Sequence, residues 1–295
     1  MFRYLRLKLE PERPAVDLGM LSIDALARDS TYPISIHQIN RLPENAKKRI
    51  YRALLPAGLL LQFGIDPFTW RGPDGDGHIR LKAEPETNTV NLSVRDRADS
   101  DDSFFTLELA DNAFNGIDLT LLLLNDPGCP RYQTDFDETG EPTLLGTTRR
   151  NLGEEERAMQ AGLAPGQVRL SLGASREVLK QLEVFLTSLG SRAYTLEPLT
   201  YASAWVFERR GLAYMRGHKL MDDIHKEFQP GGALYRALDG STPFRQPAQW
   251  QTVRGRAWAI QDGILEKIGT KWDGLHMIKQ VGRQAGVETF PGGIY

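Results

Sequence analysis

One cysteine, Cys129, stands among 295 residues, so no intrachain disulfide can staple this chain, and thiol usage points weakly to a reducing compartment. Basic charge is not in excess either. Thirty-six Lys and Arg against 38 Asp and Glu leave a formal net charge of -2, which denies the chain the global positive field that gathers nucleic acid. Long apolar runs are missing: the stretch LLPAGLLLQF from Leu54 to Phe63 is too short to cross a bilayer and contains Pro56. The opening MFRYLRLKLEPERP has no apolar run or small-residue cleavage site of a secretory signal, so cytoplasmic residence is the expectation. No internal repeat, heptad pattern, membrane anchor or nucleic-acid reading motif is visible. What is there, 41% apolar and 25% charged residues with 17 prolines, is the composition of an ordinary folded protein. Its length lies between one large domain and two ordinary ones.

Taken in order, Phe2 to Leu9 alternates like an edge strand, and Leu18, Leu21, Ile23 and Leu26 can share the face of a short helix. Pro43 fits the start of another helix, followed by a charged and apolar periodicity from Ala46 to Leu54. Strand-length runs then appear at His78–Leu81, Thr89–Val94, Phe104–Leu109 and Ile117–Leu124, with short connections that favour antiparallel pairing. These predict an α+β protein in which residues 1–148 form a β-rich curved sheet or partial barrel. Residues 149–295 are expected to form a mixed, increasingly helical region holding the principal site, the two being separate or packed as one unit.

The organising stretch is Leu199 to Phe228. Tyr201, Trp205, Phe207, Leu212, Leu220, Ile224 and Phe228 recur on helical faces, with Glu208, His218, Asp222 and His225 beside them. His218, Asp222 and His225 are spaced by four and three residues. On one helix face, two imidazoles and a carboxylate suit zinc or iron, with Glu208 or Asp222 available for proton transfer. That spacing predicts a metal-dependent hydrolase or oxygenase acting on a small anionic or aromatic substrate. The same residues also suit plain surface ion pairs such as Lys219 with Asp223. Downstream, Val253 to Ile260 reads as a strand that puts Arg254, Arg256 and Trp258 on one side, a pattern for recognising an anionic or conjugated substrate. Trp272 to Gln284 reads as a final helix, and the terminal Tyr295 is expected to tuck against the body.

Asp135-Phe136-Asp137-Glu138-Thr139-Gly140 begins like a calcium loop, but Gly146 stands where the pattern wants its last carboxylate, which favours an acidic turn. Cys129 beside Gly128 has no histidine nearby in sequence to activate it. Gln167 to Leu172 followed by Gly173-Ala174-Ser175 and an amphipathic helix to Leu189 is a strand, turn and helix that can present backbone amides to an anion.

From Val168 to Leu212 the chain resembles the closing part of the Gcn5-related acyltransferase superfamily. That family runs through a cofactor-facing turn and helix, a strand, and a helix ending near an aromatic-glutamate-x-x-glycine-apolar segment. The corresponding pieces are Val168–Gly173, Ser175–Leu189, Ala193–Leu196 and Phe207-Glu208-Arg209-Arg210-Gly211-Leu212. The resemblance implies acyl-coenzyme A as cofactor, bound near Gly173 and Ser175, with no metal required. The chain departs from the family where Arg169 is followed by Gly173 and Ser175 rather than by two closely spaced glycines. A non-enzymatic ligand sensor is the third reading, using the arginine-tryptophan patch for recognition. In all three the expected partner is a small molecule, with no nucleic acid or membrane, and self-association into a homo-oligomer stays open.

Overall fold

Residues 34–100 and 102–295 are described by a computed structural model, so the edge strand read at Phe2–Leu9 and the helix read before Ala27 lie outside the described residues. Four strands, β1 (Ile79–Lys82), β2 (Thr89–Val94), β3 (Phe105–Asp111) and β4 (Ile117–Leu124), pair antiparallel in sequence order. Three more, β5 (Ala193–Leu196), β6 (Ala213–Arg216) and β7 (His276–Gln280), extend the same sheet to the order β1-β2-β3-β4-β5-β7-β6. The β4–β5 neighbours run parallel and all other pairs antiparallel.

The curved sheet or partial barrel expected of residues 1–148 is corrected by this arrangement. The sheet is open and mixed, and it takes strands from both sides of residue 148. The physical reason lies in the alternation. Val90, Leu92 and Val94 of β2 and Phe105, Leu107 and Leu109 of β3 are buried on one face. The opposite face carries Asn91, Glu108 and Thr120, joined through the Glu108 carboxylate. A sheet with one apolar face is satisfied by a single covering layer and gains nothing from closing on itself.

That covering layer comes from α1 (Ile36–Asn40), α2 (Glu44–Tyr51), α3 (Ala57–Gln62) and α5 (Ser175–Ser188), α4 (Leu152–Gln160) lying between the sheet's halves in sequence. Asp111 at the end of β3 accepts the Ile36 and His37 amides at 2.7 and 2.8 Å, fixing the start of α1 on the sheet. Helix α5 buries Val178, Leu179, Leu182, Phe185 and Leu186, the spacing of one apolar stripe. Each such side chain contributes about 1.5–3 kcal/mol.

A second core gathers α6 (Tyr201–Arg209), α7 (His218–Glu227), α8 (Ala233–Arg236) and α9 (Val253–Gln261) around Tyr201, Ala204, Met221, Ile224, Phe228 and Ala257. Gly211 (φ 84°) and Gly217 (φ 97°) cut the organising stretch into α6, β6 and α7, so Leu199–Phe228 is two helices around a strand. Two sequence readings are corrected here. Val253–Gln261 is a helix, capped by Thr252, whose Oγ1 accepts the Gly255 amide. The expected final helix from Trp272 is instead the strand β7. The tail returns across the second core: Val253 donates to the Ile294 carbonyl at 2.7 Å, and Tyr295 stacks on Trp205. No helix among the described residues is long and apolar enough to cross a membrane.

Candidate functional site

The imidazoles at 218 and 225 stand two turns apart on α7, a rise of about 10 Å, and the fold does not draw them together. His218 lies in solvent, stacked on Tyr214, with Nε2 3.8 Å from Asp222 Oδ1. His225 turns inward, its Nδ1 3.2 Å from Arg256 Nη1 and its ring against Phe290. Burial, then the Arg256 charge, depress its pKa, with Asp222 opposing them. A guanidinium occupies the place where a metal partner would be needed. Among the described residues no group of three or more His, Cys, Asp or Glu side chains is placed to hold a metal ion.

Glu208, expected to transfer protons, is buried and fully engaged. It accepts from Tyr214 Oη at 2.5 Å, from the Thr289 amide at 3.0 Å and from Thr289 Oγ1 at 2.6 Å, tying the tail to α6. The patch expected of Arg254, Arg256 and Trp258 is also taken apart, because a helix turns consecutive residues by about 100° where a strand alternates them. Arg254 donates to the Gly162 and Tyr295 carbonyls near the surface. Arg256 is wholly buried, donating to the Trp250 carbonyl at 2.7 Å and lying 3.5 Å from the Phe290 ring centroid. Trp258 is buried beside Phe244 and donates to the Leu163 carbonyl at 2.8 Å. Cys129 donates to Asp126, a contact that, with burial, raises its thiol pKa and leaves it poorly nucleophilic. Asp137 closes the acidic turn on Thr139 and Glu141, which holds its pKa down to about 2.

The other two expected residues, Gly173 and Ser175, lie in the crossover connection from β4 to β5. Strands β4 and β5 share two residue pairs, Ile117 with Tyr194 and Asp118 with Thr195, after which β4 continues alone to Leu124. Leu121 to Leu123 are partly exposed along that free length. Strand β5 ends at Leu196, one residue past the shared pairs, so β4 runs on beyond Asp118 without β5 beside it. The chain after β4 is held to the approach of α5 by the Asp126 amide, which donates to the Leu170 carbonyl at 2.7 Å.

At this end α5 begins. Gly173 (φ 72°) makes the turn, and a side chain there would meet nothing within 4 Å, so the space beside it is open. Ala174 occupies the capping position and supplies no side-chain acceptor to the first-turn amides. Arg210, just past the end of α6, donates to Ser175 Oγ from Nε and Nη2 at 3.2 and 3.1 Å. Burial and the like charge of Arg176 depress the Arg210 pKa. Two guanidiniums and an uncapped helix start meet here, with the Glu177 carboxylate of the same first turn as the one acidic group of that turn.

A polar cavity of about 680 Å³ opens at the end of β4, lined by Ser103, Asn125, Asp102, Arg131 and Arg169 among others. Arg131 bridges Asp102 and Asp135 at 2.9 and 2.7 Å, and Arg169 reaches Asp102 at 3.2 Å. Sequence reasoning missed Arg176, Arg131 and the contact of Arg210 with Ser175. Arg210 sits inside the quoted Phe207–Leu212 segment, which was the available signal. Arg131 had none, since its partners are set by the chain crossing from β4 to α4.

Comparison of the chain with protein-family models, with curated proteins and with solved structures gives no match.

Proposed function

We propose that the protein is an acyl-coenzyme A-dependent acyltransferase that binds its cofactor at the start of α5 and along the free length of β4. The observation that carries this reading is the uncapped start of α5, with Arg210 on its Ser175 and Arg176 beside it, in the crossover that joins β4 to β5, the parallel pair of the sheet. The family resemblance read in the sequence motivates the same reading through helix α5, strand β5 and helix α6, although Gln167–Leu172, expected as a strand ahead of the turn, is an irregular segment.

In this reading the cofactor's phosphates rest on the first-turn amides of α5, with Ser175 Oγ and the two guanidiniums completing the anion site. Gly173 leaves room for close approach. The free length of β4 offers backbone groups to the amides of the cofactor's extended arm, with Leu121 and Leu123, which share one face of the strand, as an apolar wall. The bound cofactor supplies an activated acyl carbonyl and a thiol leaving group. The acceptor takes the polar cavity, where Asp102, Arg131 and Arg169 orient it.

Calorimetric titration with coenzyme A tests the proposal. Saturable one-site binding is expected, weakened about tenfold or more by Arg210→Ala, because a charge-assisted bond to phosphate is worth about 1.5–3 kcal/mol. No saturation, or equal affinity in the variant, overturns it. Tight binding with no acyl transfer to any amine or hydroxyl acceptor in a broad screen would instead favour a ligand sensor.

A further inference from the structure

A second concave site lies on the covering helices, distinct from the start of α5. It has a volume of about 470 Å³ and is lined by Lys48, Arg49, Arg52, Arg71, Phe68 and Trp70 among others. Lys48, Arg49 and Arg52 follow the i, i+1, i+4 spacing of one helix face, while Ile50 and Tyr51 on the other side of α2 are packed into the core. Four cations thus face one carboxylate of the lining, Asp76, and none of the four forms a salt bridge among the described residues. In a chain of net charge -2 this is a local concentration of positive charge.

The same wall is aromatic. Phe68 is 68% exposed, and the Arg52 guanidinium lies 4.7 Å from its ring centroid. Lys48 Nζ lies 5.6 Å from the Trp70 ring centroid. Trp70 is held at φ 64°, an uncommon conformation for a bulky residue, by its amide bond to the Asp66 carbonyl and by the His78 amide on its own carbonyl. The exposed Phe68 ring thus stands beside cations that form no salt bridge among the described residues, with the Arg52 guanidinium over its face.

We infer that this pocket binds a nucleoside phosphate of mononucleotide size, its base stacked on Phe68 and its phosphate held by Lys48, Arg49 and Arg52. An inorganic anion would leave the aromatic wall unused, and a neutral ring would leave the cations unmatched. The volume fits one nucleotide, and the chain's overall negative charge disfavours a long polyanion. Stacking on an exposed aromatic and charge-assisted bonds to phosphate are the two forces that the pocket offers together.

The test is calorimetric titration of the full chain with adenosine 5′-monophosphate, adenosine and inorganic phosphate, and with a short oligothymidylate. The expected result is nucleotide binding that persists in an Arg210→Ala background, where it is tighter than either of its halves and is weakened about tenfold by Phe68→Ala and by Arg52→Ala. Both side chains reach solvent, so folding should survive, and circular dichroism checks it. That background separates the pocket from the anion site at the start of α5. The inference is overturned by no saturation at millimolar nucleotide or by inorganic phosphate binding as tightly. It is overturned equally by sensitivity to Arg210→Ala without sensitivity to Phe68→Ala, or by the oligonucleotide binding more than tenfold tighter.

Discussion

Glu208 was read from the sequence as a proton-transfer group, yet its surroundings make it a clamp, and the two roles predict opposite results on mutation. Its carboxylate is 3% exposed and accepts three hydrogen bonds, two of them from Thr289 in the tail. Each bond to a charged acceptor is worth about 1.5–3 kcal/mol net, but all three end on one group. Removing the group also removes the cost of burying a charge, about several kcal/mol, which no cation within salt-bridge distance among the described residues offsets. For Glu208→Ala the balance is a loss of about 3–4 kcal/mol, dominated by the Tyr214 hydroxyl and Thr289 amide left buried without acceptors. Glu208→Gln keeps the shape and one acceptor oxygen but turns an amide nitrogen toward the Thr289 N–H, and should cost about 1–2 kcal/mol. Urea unfolding gives the stabilities, and amide exchange at Thr289 reports the local contact, with protection lost in the alanine variant first. The clamp is refuted if both variants unfold within about 0.5 kcal/mol of the parent, or if Glu208→Gln keeps full stability while abolishing turnover.

Three further outcomes follow from the same geometry. His225 has its pKa depressed by burial and by Arg256, so below about pH 6.5 the unfolded chain takes up a proton that the folded chain refuses. Stability should therefore fall as pH drops through that window, by at most one proton's slope, and His225→Gln should flatten the profile measured by urea unfolding between pH 5 and 7. Gly211→Ala forces a side chain into the left-handed region, at about 1–2 kcal/mol, and directs it against Gln284 and Lys279; a melting temperature equal to that of the parent would show that the turn is not constrained. Trp258→Phe keeps the ring stack on Phe244 but leaves the Leu163 carbonyl without its 2.8 Å donor, and should cost about 1–3 kcal/mol, read by chemical denaturation.

Local pattern determined much of the secondary structure, and the reasons are specific. Thr89–Val94 and Ala193–Leu196 alternate between a core face and a polar face, and α5 carries one apolar stripe, so each shows its period in the sequence, while Ile117–Leu124 shows only a strand-length apolar run because a bulge interrupts its alternation. Helix α9 could not be read that way. Seven of its nine residues are buried, its two sides packing against α6 and against the Ala158–Phe244 cluster, so no 3.6-residue period survives and the run resembles a strand. The misread strand then placed Arg254, Arg256 and Trp258 on one imagined side.

The amino-acid order alone marked breaks, through the glycines at 211 and 217, and buried faces, through stripes such as that of α5, but it did not reveal α9 or β7. Which polar groups meet was decided in three dimensions. His225 faces Arg256 across 31 residues, Glu208 holds Thr289 across 81, and Arg210 reaches Ser175 across 35. Spacing along one helix constrains only neighbours on that helix, whereas each of these partners arrives on a separate element whose position depends on how two cores pack.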